Sequence, residues 1–594
     1  MIQFLKKRSW ILLAIPLILV VLVYFQSVNN EILTNWDDQY YITKNDKIKD
    51  FSAENLQAIF TTQHMAHYQP VTLLVYAVAY NLFGHNAMAF HMLSILLHLL
   101  CVILVFLIAK RILKRPLIAG LLASVFAVLP MMSESILWIS ATNQLMFSLF
   151  YLLAMLLYIR HIEGGCRLMS FLLVLLVFLL ALLSKSMAVS FPLVAFALGI
   201  MYRRRGGQFY FEIAFLLLFS IVAGWVAVLS SLDFGSMNSK IDYTLLERFL
   251  MVAYAFATYI VKFIFPVNIS SVHYLPDAES SFPWTYYVAP FLILVVLIII
   301  LSRKKYRREL IASFFIFTFM IAPGLQFKPI GFVLVVERYT YASYFGLLLL
   351  MAFFIVDLEK SGGRFSLFAK PLGILIGIAM LISFSVKTFN RVSVWKNGIT
   401  LFSDVIEKYP SKGLAYAYRA DAELEKLKYL QAFTDYNIAL DKSFREPSVF
   451  YNRAQAMYKL DTYKKKLETF DQKIRNNTGN GVYYYNRGTV KASDTIMDYF
   501  GAIQDYKKSI QLGFDKFFVY YNLGNCHRNM QEYDNAILCY DEVLKRKPGF
   551  ADAMHNAAVS YYLSGNFVKA CEIWKKLKSS SHPLATQEYI KYCN

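Results

Sequence analysis

Charge is what this 594-residue chain has least of. Asp, Glu, Lys and Arg together make up 17 %, whereas soluble domains carry about 25 %. Apolar residues reach 57 %. These two figures exclude a soluble multidomain enzyme, which needs a charged surface, and a disordered chain, which is poor in apolar residues. Cysteine is also scarce. Six in the whole chain cannot staple a fold of this size, so it is no disulfide scaffold. Equally missing are a glycine-rich nucleotide-binding loop, a zinc-spaced Cys/His set and a Ser/His/Asp arrangement. Of the two signs of charge the acidic is the scarcer, 40 residues against 60 basic, for a net +20. In so apolar a chain, a basic excess marks cytoplasmic loops of a membrane protein rather than nucleic-acid binding.

The apolar residues are concentrated in the first 390 positions. A helix needs about 20 apolar residues to cross a bilayer. Lys6, Lys7 and Arg8 precede an apolar run over 10–25 that no small-residue cleavage site follows, so it reads as an uncleaved first span with a cytoplasmic N-terminus. Ten more spans are expected near 89–109, 116–132, 144–159, 168–183, 187–201, 209–230, 285–302, 309–324, 341–357 and 371–387. Basic clusters check the parity: Lys110, Arg111, Lys114 and Arg115 follow the second span, Arg160 and Arg167 the fourth, Arg203, Arg204 and Arg205 the sixth. Residues 168–201 then form a hairpin turning at Ser184-Lys185-Ser186. Residues 249–265 are apolar too. A crossing there would send Arg303, Lys304, Lys305, Arg307 and Arg308 outward, so a re-entrant or interfacial helix ending at Pro266 is expected instead. Eleven spans leave the C-terminal half outside.

Residues 391–594 have ordinary soluble composition, and within them 413–584 repeat about every 34 residues, the tetratricopeptide period. Gly524, Ala536 and Pro548 stand twelve apart, and Ala558 and Ala570 follow in step. Ala420, Ala432 and Ala439 mark a first unit, and Gly488 and Ala502 a third. The second has Ala454 but Lys466 where a small residue belongs. About five helix pairs are expected, with a leading half-repeat over 396–409 and a short cap over 585–594. Such a solenoid offers a concave surface to an extended partner. Tyr416, Tyr418, Tyr451, Tyr483, Tyr484, Tyr485, Tyr520 and Tyr521 recur on the first helices, as packing residues or as a peptide groove. Cys526 and Cys539 stand thirteen apart, able to face each other across one pair.

Chemistry is expected in the outer loop 28–89, long for a connector. Asp37 and Asp38 are adjacent carboxylates flanked by Trp36, Tyr40 and Tyr41, placed where a base can meet an acceptor hydroxyl or where an aromatic belt meets solvent. A short amphipathic helix near 52–61 and an apolar stretch over 70–83, too short to span, follow.

Six motifs in order carry a family resemblance: NWDDQYYI at 35–42, HYQPVTLLVYAVAYNLFG at 67–84, AFHMLSILLHLL at 89–100, LPMMSESILWIS at 129–140, LLSKSMAVSFP at 182–192 and ERYTYASYFG at 337–346, with the repeats behind them. From residue 30 to its end the chain resembles multi-span glycosyltransferases of the GT-C class. It is most similar to bacterial tetratricopeptide-repeat glycosyltransferase-like proteins and to eukaryotic transmembrane and tetratricopeptide-repeat O-mannosyltransferases. The resemblance implies an all-α fold, with a GT-C-like membrane domain over 1–390 and a repeat α-solenoid over 391–594. It implies inverting transfer of a sugar from a polyprenyl-phosphate donor, with Asp37 or Asp38 as base. Glu134 matches a Pro-x-x-x-Glu pattern, as a second acid or a group that helps hold a divalent cation; no other metal or cofactor is expected. Lys185 matches a Ser-Lys and Arg338 an Arg-Tyr, both as contacts for the donor phosphate. Two positions depart from the pattern: Gln69 stands where an Arg is expected, and Thr142 likewise, with Gln144 where an Asp is common. His64 and His67, three apart, and His91 and His98, seven apart, read as packing groups rather than metal ligands.

The implied enzyme sits in a bacterial inner membrane and moves a sugar onto a protein Ser/Thr hydroxyl or a glycan that the periplasmic repeats recruit. The alternative is a non-catalytic membrane scaffold whose repeats bind an envelope protein.

Overall fold

The computed structural model describes residues 9–233, 243–276, 281–327, 331–360, 364–579 and 583–593. Lys6, Lys7 and Arg8, the expected cytoplasmic flank, lie outside them. Among the described residues the chain is all-α, with isolated bridges at His64–His67 and Tyr274–Val333 as its only β pairing. It divides into two compact units, Met1–Pro410 and Ser411–Asn594. The helix Gly398–Lys408, read from sequence as a leading half-repeat, falls in the first.

In the first unit all eleven expected spans are helical. Among the described residues, seven helices are long and apolar enough to cross a membrane: Trp10–Asn29, Ala87–Leu113, Ile139–Glu163, Gly207–Ser230, Trp284–Ser302, Glu337–Glu359 and Pro371–Val394. Pro116–Ala127 and Pro130–Leu137 make an eighth if their 51° bend is one broken span. The bend falls where Pro130 cannot donate its backbone hydrogen bond. The other three are shorter: Leu168–Ser184 stops at the extended Lys185, Ser186–Met201 follows it, and Arg307–Ile321 runs into Ala322-Pro323-Gly324. Leu245–Ile264, the segment expected to be re-entrant or interfacial, carries Glu247, Arg248 and Lys262 and does not pass as a span. It buries Met251, Ala255 and Tyr259, and leaves Leu245, Leu246 and Phe249 exposed.

Small residues let these helices close on one another. A side chain at Gly346 would collide with the backbone of Phe317, so Thr340–Lys360 packs directly on Arg307–Ile321. In the first loop, Ala53–Thr61 starts on a Ser52 cap and Pro70–Phe83 on a proline at its first turn. The second buries Leu73, Tyr76 and Ala77 against Tyr41, Ile42, Ile48, Ile59, Phe90 and Ile139. The loop is therefore packed into an apolar core that it shares with Phe90 and Ile139.

The second unit is a run of helix pairs: Gly413–Glu425 with Tyr429–Asp441, Gly481–Lys491 with Tyr499–Gln511, Phe517–Asn529 with Tyr533–Arg546, and Ala551–Leu563 with Phe567–Ser579. Each pair turns through a left-handed residue, respectively Leu427, Met497, Gln531 and Gly565. The weak second unit of the sequence is one continuous helix, Pro447–Asn476. Its stretch around Lys466 holds neither the small residue a close pair needs nor a Gly, Pro or Asn to turn on. Gly488 and Gly524 meet the rings of Tyr506 and Tyr540, as the small-residue spacing requires. Of the recurring tyrosines, Tyr485 lies against Tyr506, Phe514 and Phe518 and Tyr521 against Tyr540 and Phe550, whereas Tyr451 is exposed. Cys526 and Cys539 stay unpaired, and the disulfide joins Cys571 to Cys593.

Candidate active site

Four elements of the first unit bring the expected residues together. The first is the loop carrying Asp37 and Asp38. Trp36 stacks on Trp138 with ring centroids 4.4 Å apart, which clamps this loop onto the turn around Ile139–Ala141. Asp38 is 1 % exposed, and its carboxylate accepts from the Leu33 N–H at 2.9 Å, the Ser140 N–H at 2.8 Å and the Ser140 hydroxyl. Burial pushes the Asp38 carboxyl up to about 6, against the pull of those donors. Asp37 differs: it is half-buried, and its carboxylate accepts no hydrogen bond among the described residues. Burial raises its pKa, and the Arg338 guanidinium holds it partly down. One of two adjacent carboxylates is thus tied into the fold, while the other stays available.

Glu134 and Arg338 form one unit. Arg338 donates from its guanidinium to Oε1 at 2.5 Å and from its backbone N–H to Oε2 at 3.0 Å. Both oxygens of the buried Glu134 therefore serve Arg338, which fits a cation ligand poorly. Arg338 also lies over the rings of Trp138 and Tyr339, at 5.1 and 5.3 Å. Lys185, in the extended break between Leu168–Ser184 and Ser186–Ser190, donates to Gln144 Oε1 at 2.9 Å and Asn143 Oδ1 at 3.3 Å. Its ammonium shares the Tyr339 ring with Arg338, at 5.3 Å. Burial pushes it down to about 7, and the Arg338 charge adds to the fall while Glu134 opposes it.

Several residues of this cluster were not singled out in the sequence, or were read as bystanders. Gln69 donates to the Tyr41 hydroxyl at 2.8 Å and accepts from Asn143 at 3.1 Å, so a polar chain runs from Tyr41 to Lys185. A neutral amide suits that place, where Lys185 and Arg338 already supply charge. Thr142 turns away and donates to the Ile139 carbonyl at 2.8 Å. His67 is set by a tight turn in which His64 and His67 exchange both backbone hydrogen bonds, at 2.8 and 2.9 Å. Met65 and Ala66 between them are both left-handed, a conformation that costs a non-glycine residue about 1 kcal/mol or more. Burial and the charges of Lys185 and Arg338 push the His67 imidazole down to about 4, so it faces them neutral. His91 and His98 stay inside the helix packing; His98 bonds the Tyr341 hydroxyl at 2.6 Å and the Ala127 carbonyl at 3.0 Å.

Beside His67 and Ser186 opens an apolar cavity of about 250 Å³, walled by Leu179, Leu182, Leu183, Phe219 and Val222. A second buried cluster sits one residue from Arg338. Glu337 Oε1 lies 2.8 Å from His273 Nε2 and 3.1 Å from Lys262, and His273 Nδ1 lies 2.7 Å from the Tyr409 hydroxyl. Nothing in the local sequence links Lys262, His273 and Tyr409.

Comparison with known proteins adds four findings. Residues 517–550 match the tetratricopeptide repeat family. The chain is 24 % identical over 403 residues to a protein O-mannosyl-transferase of Caenorhabditis elegans, covering 65 % of this chain and 54 % of that one. It is 26 % identical over 110 residues to the photosystem I assembly protein Ycf3 of Sorghum bicolor, covering 16 % of this chain and 64 % of that protein. The chain thus spans about half to two thirds of the curated relatives it matches. The oligosaccharyltransferase of Archaeoglobus fulgidus, solved with a tethered acceptor peptide, aligns at 13 % identity and a TM-score of 0.39, over 66 % of this chain and 56 % of that one. By its ordered motifs, its repeats and this mannosyl-transferase relative, the chain is similar to tetratricopeptide-repeat membrane glycosyltransferases of the GT-C class.

Proposed function

We propose that this protein transfers a sugar from a polyprenyl-phosphate donor to a hydroxyl of a protein or glycan, on the outer side of a bacterial inner membrane. The observation that carries the reading is the contrast between two neighbours: Asp38 is saturated by Leu33 and Ser140, while Asp37 keeps an unbonded carboxylate within the field of Arg338. Asp37 is the base. It takes the proton of the acceptor hydroxyl as that oxygen attacks the anomeric carbon, and the bond from that carbon to the phosphate oxygen breaks. Asp38 acts through Ser140 to hold the loop, and is a positioning residue. Arg338 and Lys185 stabilise the departing phosphate, as fixed cations in a site partly closed to water. Glu134 aims Arg338. The apolar cavity beside His67 and Ser186 suits the first isoprene units of the donor, whose phosphate then lies next to Lys185.

The repeats recruit the acceptor, and the domain boundary proposed for that role lies between the membrane half and 391–594. The Cys571–Cys593 disulfide supports a periplasmic repeat unit, because such bonds persist in oxidising compartments. The basic loops at 110–115, 160–167 and 203–205 support the matching cytoplasmic faces.

One observation favours the scaffold alternative: Lys185 is already engaged by Asn143 and Gln144, and Gln69 carries no charge. Transfer of radiolabelled sugar from a polyprenyl-phosphate donor, in membranes holding the full chain, decides between them. Transfer that Asp37→Asn abolishes and Asp38→Asn merely weakens establishes the enzyme; equal transfer in all three rejects Asp37 as base.

A further inference from the structure

In the first unit, near the basic residues Arg160, Arg167 and Arg203–Arg205 of the sequence, three side chains converge that the proposed reaction does not use. His161 lies in the last turn of the helix Thr142–Glu163, Cys166 in the turn after it, and Glu212 in the first turns of Gly207–Asp233. One ligand atom from each lies within 4.8 Å of the other two. His161 and Glu212 are buried, 1 and 2 % exposed. The turn is shaped to bring the thiol in: Cys166 is left-handed, its N–H donates to the His161 carbonyl at 3.0 Å, and Gln208 holds its carbonyl at 2.9 Å.

The hydrogen bonds around His161 are a second, independent observation. The Ser170 hydroxyl lies 2.6 Å from the Arg167 carbonyl, which has no proton to give, so Ser170 is the donor there. The same hydroxyl lies 2.7 Å from Nδ1 of His161, so Nδ1 carries a hydrogen and Ser170 accepts it. In a neutral ring Nε2 is then bare, and it points at Glu212 Oε1, 3.1 Å away. Two acceptors at that distance need a positive centre between them. Arg204 does not supply it, because it binds the far oxygen, Oε2, at 2.6 Å and reaches Oε1 only at 3.4 Å.

We infer that His161, Cys166 and Glu212 bind a zinc-class divalent cation, in a site separate from the proposed transferase centre. An imidazole, a thiolate and a carboxylate are the ligand types zinc takes, with a fourth position left open. Ser170 on the imidazole and Arg204 on the carboxylate are the outer partners that orient such ligands. The ion would tie the end of one long helix to the start of another, across the intervening residues 164–206.

The test uses the purified full-length chain in detergent, with zinc(II) alone as the probe. Zinc is expected to slow alkylation of Cys166 at least tenfold, read by peptide mass spectrometry, and to leave Cys526 and Cys539 unchanged as internal controls. Cobalt(II) is expected to give a thiolate-to-metal absorption band. Glu212→Gln should abolish both effects. Ser170→Ala, which keeps all three ligands, should weaken zinc affinity about 10- to 100-fold. Alkylation of Cys166 at the same rate with and without zinc, and no cobalt band, would overturn the site and leave a second proton on the His161 ring as the positive centre.

Discussion

The two units use charge in opposite ways. In Ser411–Asn594 the ion pairs repeat: Arg419 meets Asp435 at 2.6 and 3.0 Å within one helix pair, and Arg487 meets Asp505 at 2.9 and 2.6 Å in another. They recur because the helix pair recurs, and each one braces its own pair. In Met1–Pro410 the candidate site shows no such repetition. Asp38, Glu134, Lys185 and Arg338 each have a different set of partners, and Asp38 and Glu134 reach theirs across 102 and 204 residues of sequence. A charge inside an apolar unit is expensive, so it persists where it is paired or has work to do. Periodic charge therefore reads as architecture, and solitary buried charge as chemistry.

The sharpest way to break that contrast is at Asp37. Asp37→Asn keeps the shape and removes the proposed base, and sugar transfer should fall about 10²- to 10⁴-fold with the protein still folded. Arg419→Ala, in the repeats, should leave transfer chemistry on a small soluble acceptor unchanged. If the two variants lost activity equally, the distinction would fail.

Next in size is the disulfide. Its ends are 22 residues apart, so Cys571→Ser should destabilise the repeat unit by about 3 kcal/mol, measured by thermal or denaturant unfolding of the full chain. The same substitution at Cys101, buried and unpaired in the membrane unit, should not change sensitivity to reductant.

Lys185 tests the pH dependence. Its ammonium is pushed down to about 7, so the donor-free protein loses this positive charge as pH rises through that value. Donor affinity should fall over the same range, and Lys185→Arg should flatten the profile, since a guanidinium stays charged. For stability the sign is the reverse. Between about 7 and the ordinary lysine value the unfolded chain binds the extra proton, so the Lys185 contribution rises with pH there. Asp38 runs oppositely: its carboxyl is raised to about 6, so the folded chain holds the extra proton between the ordinary aspartate value and about 6, and its contribution falls as pH rises.

The smallest expected effect is at the turn before His67. Ala66→Gly relieves a left-handed alanine and should stabilise the loop by up to about 1 kcal/mol, read as a small upward shift in melting temperature.

Much of this architecture was legible in the chain. All eleven expected spans are helical, because apolar length is a local property that a bilayer imposes on any helix crossing it. The small residues at Gly488, Gly524 and Ala536 announced the helix pairs, since close packing requires them at a fixed period. Even the failed unit was signalled, by Lys466. The candidate site was half legible. Its five residues were named from ordered motifs, and two rings link them: Arg338 and Lys185 share Tyr339, and Arg338 also lies over Trp138, on which Trp36 of the Asp37–Asp38 loop stacks. Their division of labour was not. Asp37 and Asp38 are neighbours of the same type, and only the approach of Ser140, 102 residues away, tells them apart.

By itself, then, the sequence determined the class of the fold, the order of its helices and the period of its repeats, because each depends on composition and spacing within a short window. Which carboxylate is free, why a neutral Gln69 suffices beside Lys185, and that His161, Cys166 and Glu212 meet at all were decided by the tertiary structure. Those depend on contacts between distant segments, and on the burial that makes each unpaired lone pair count.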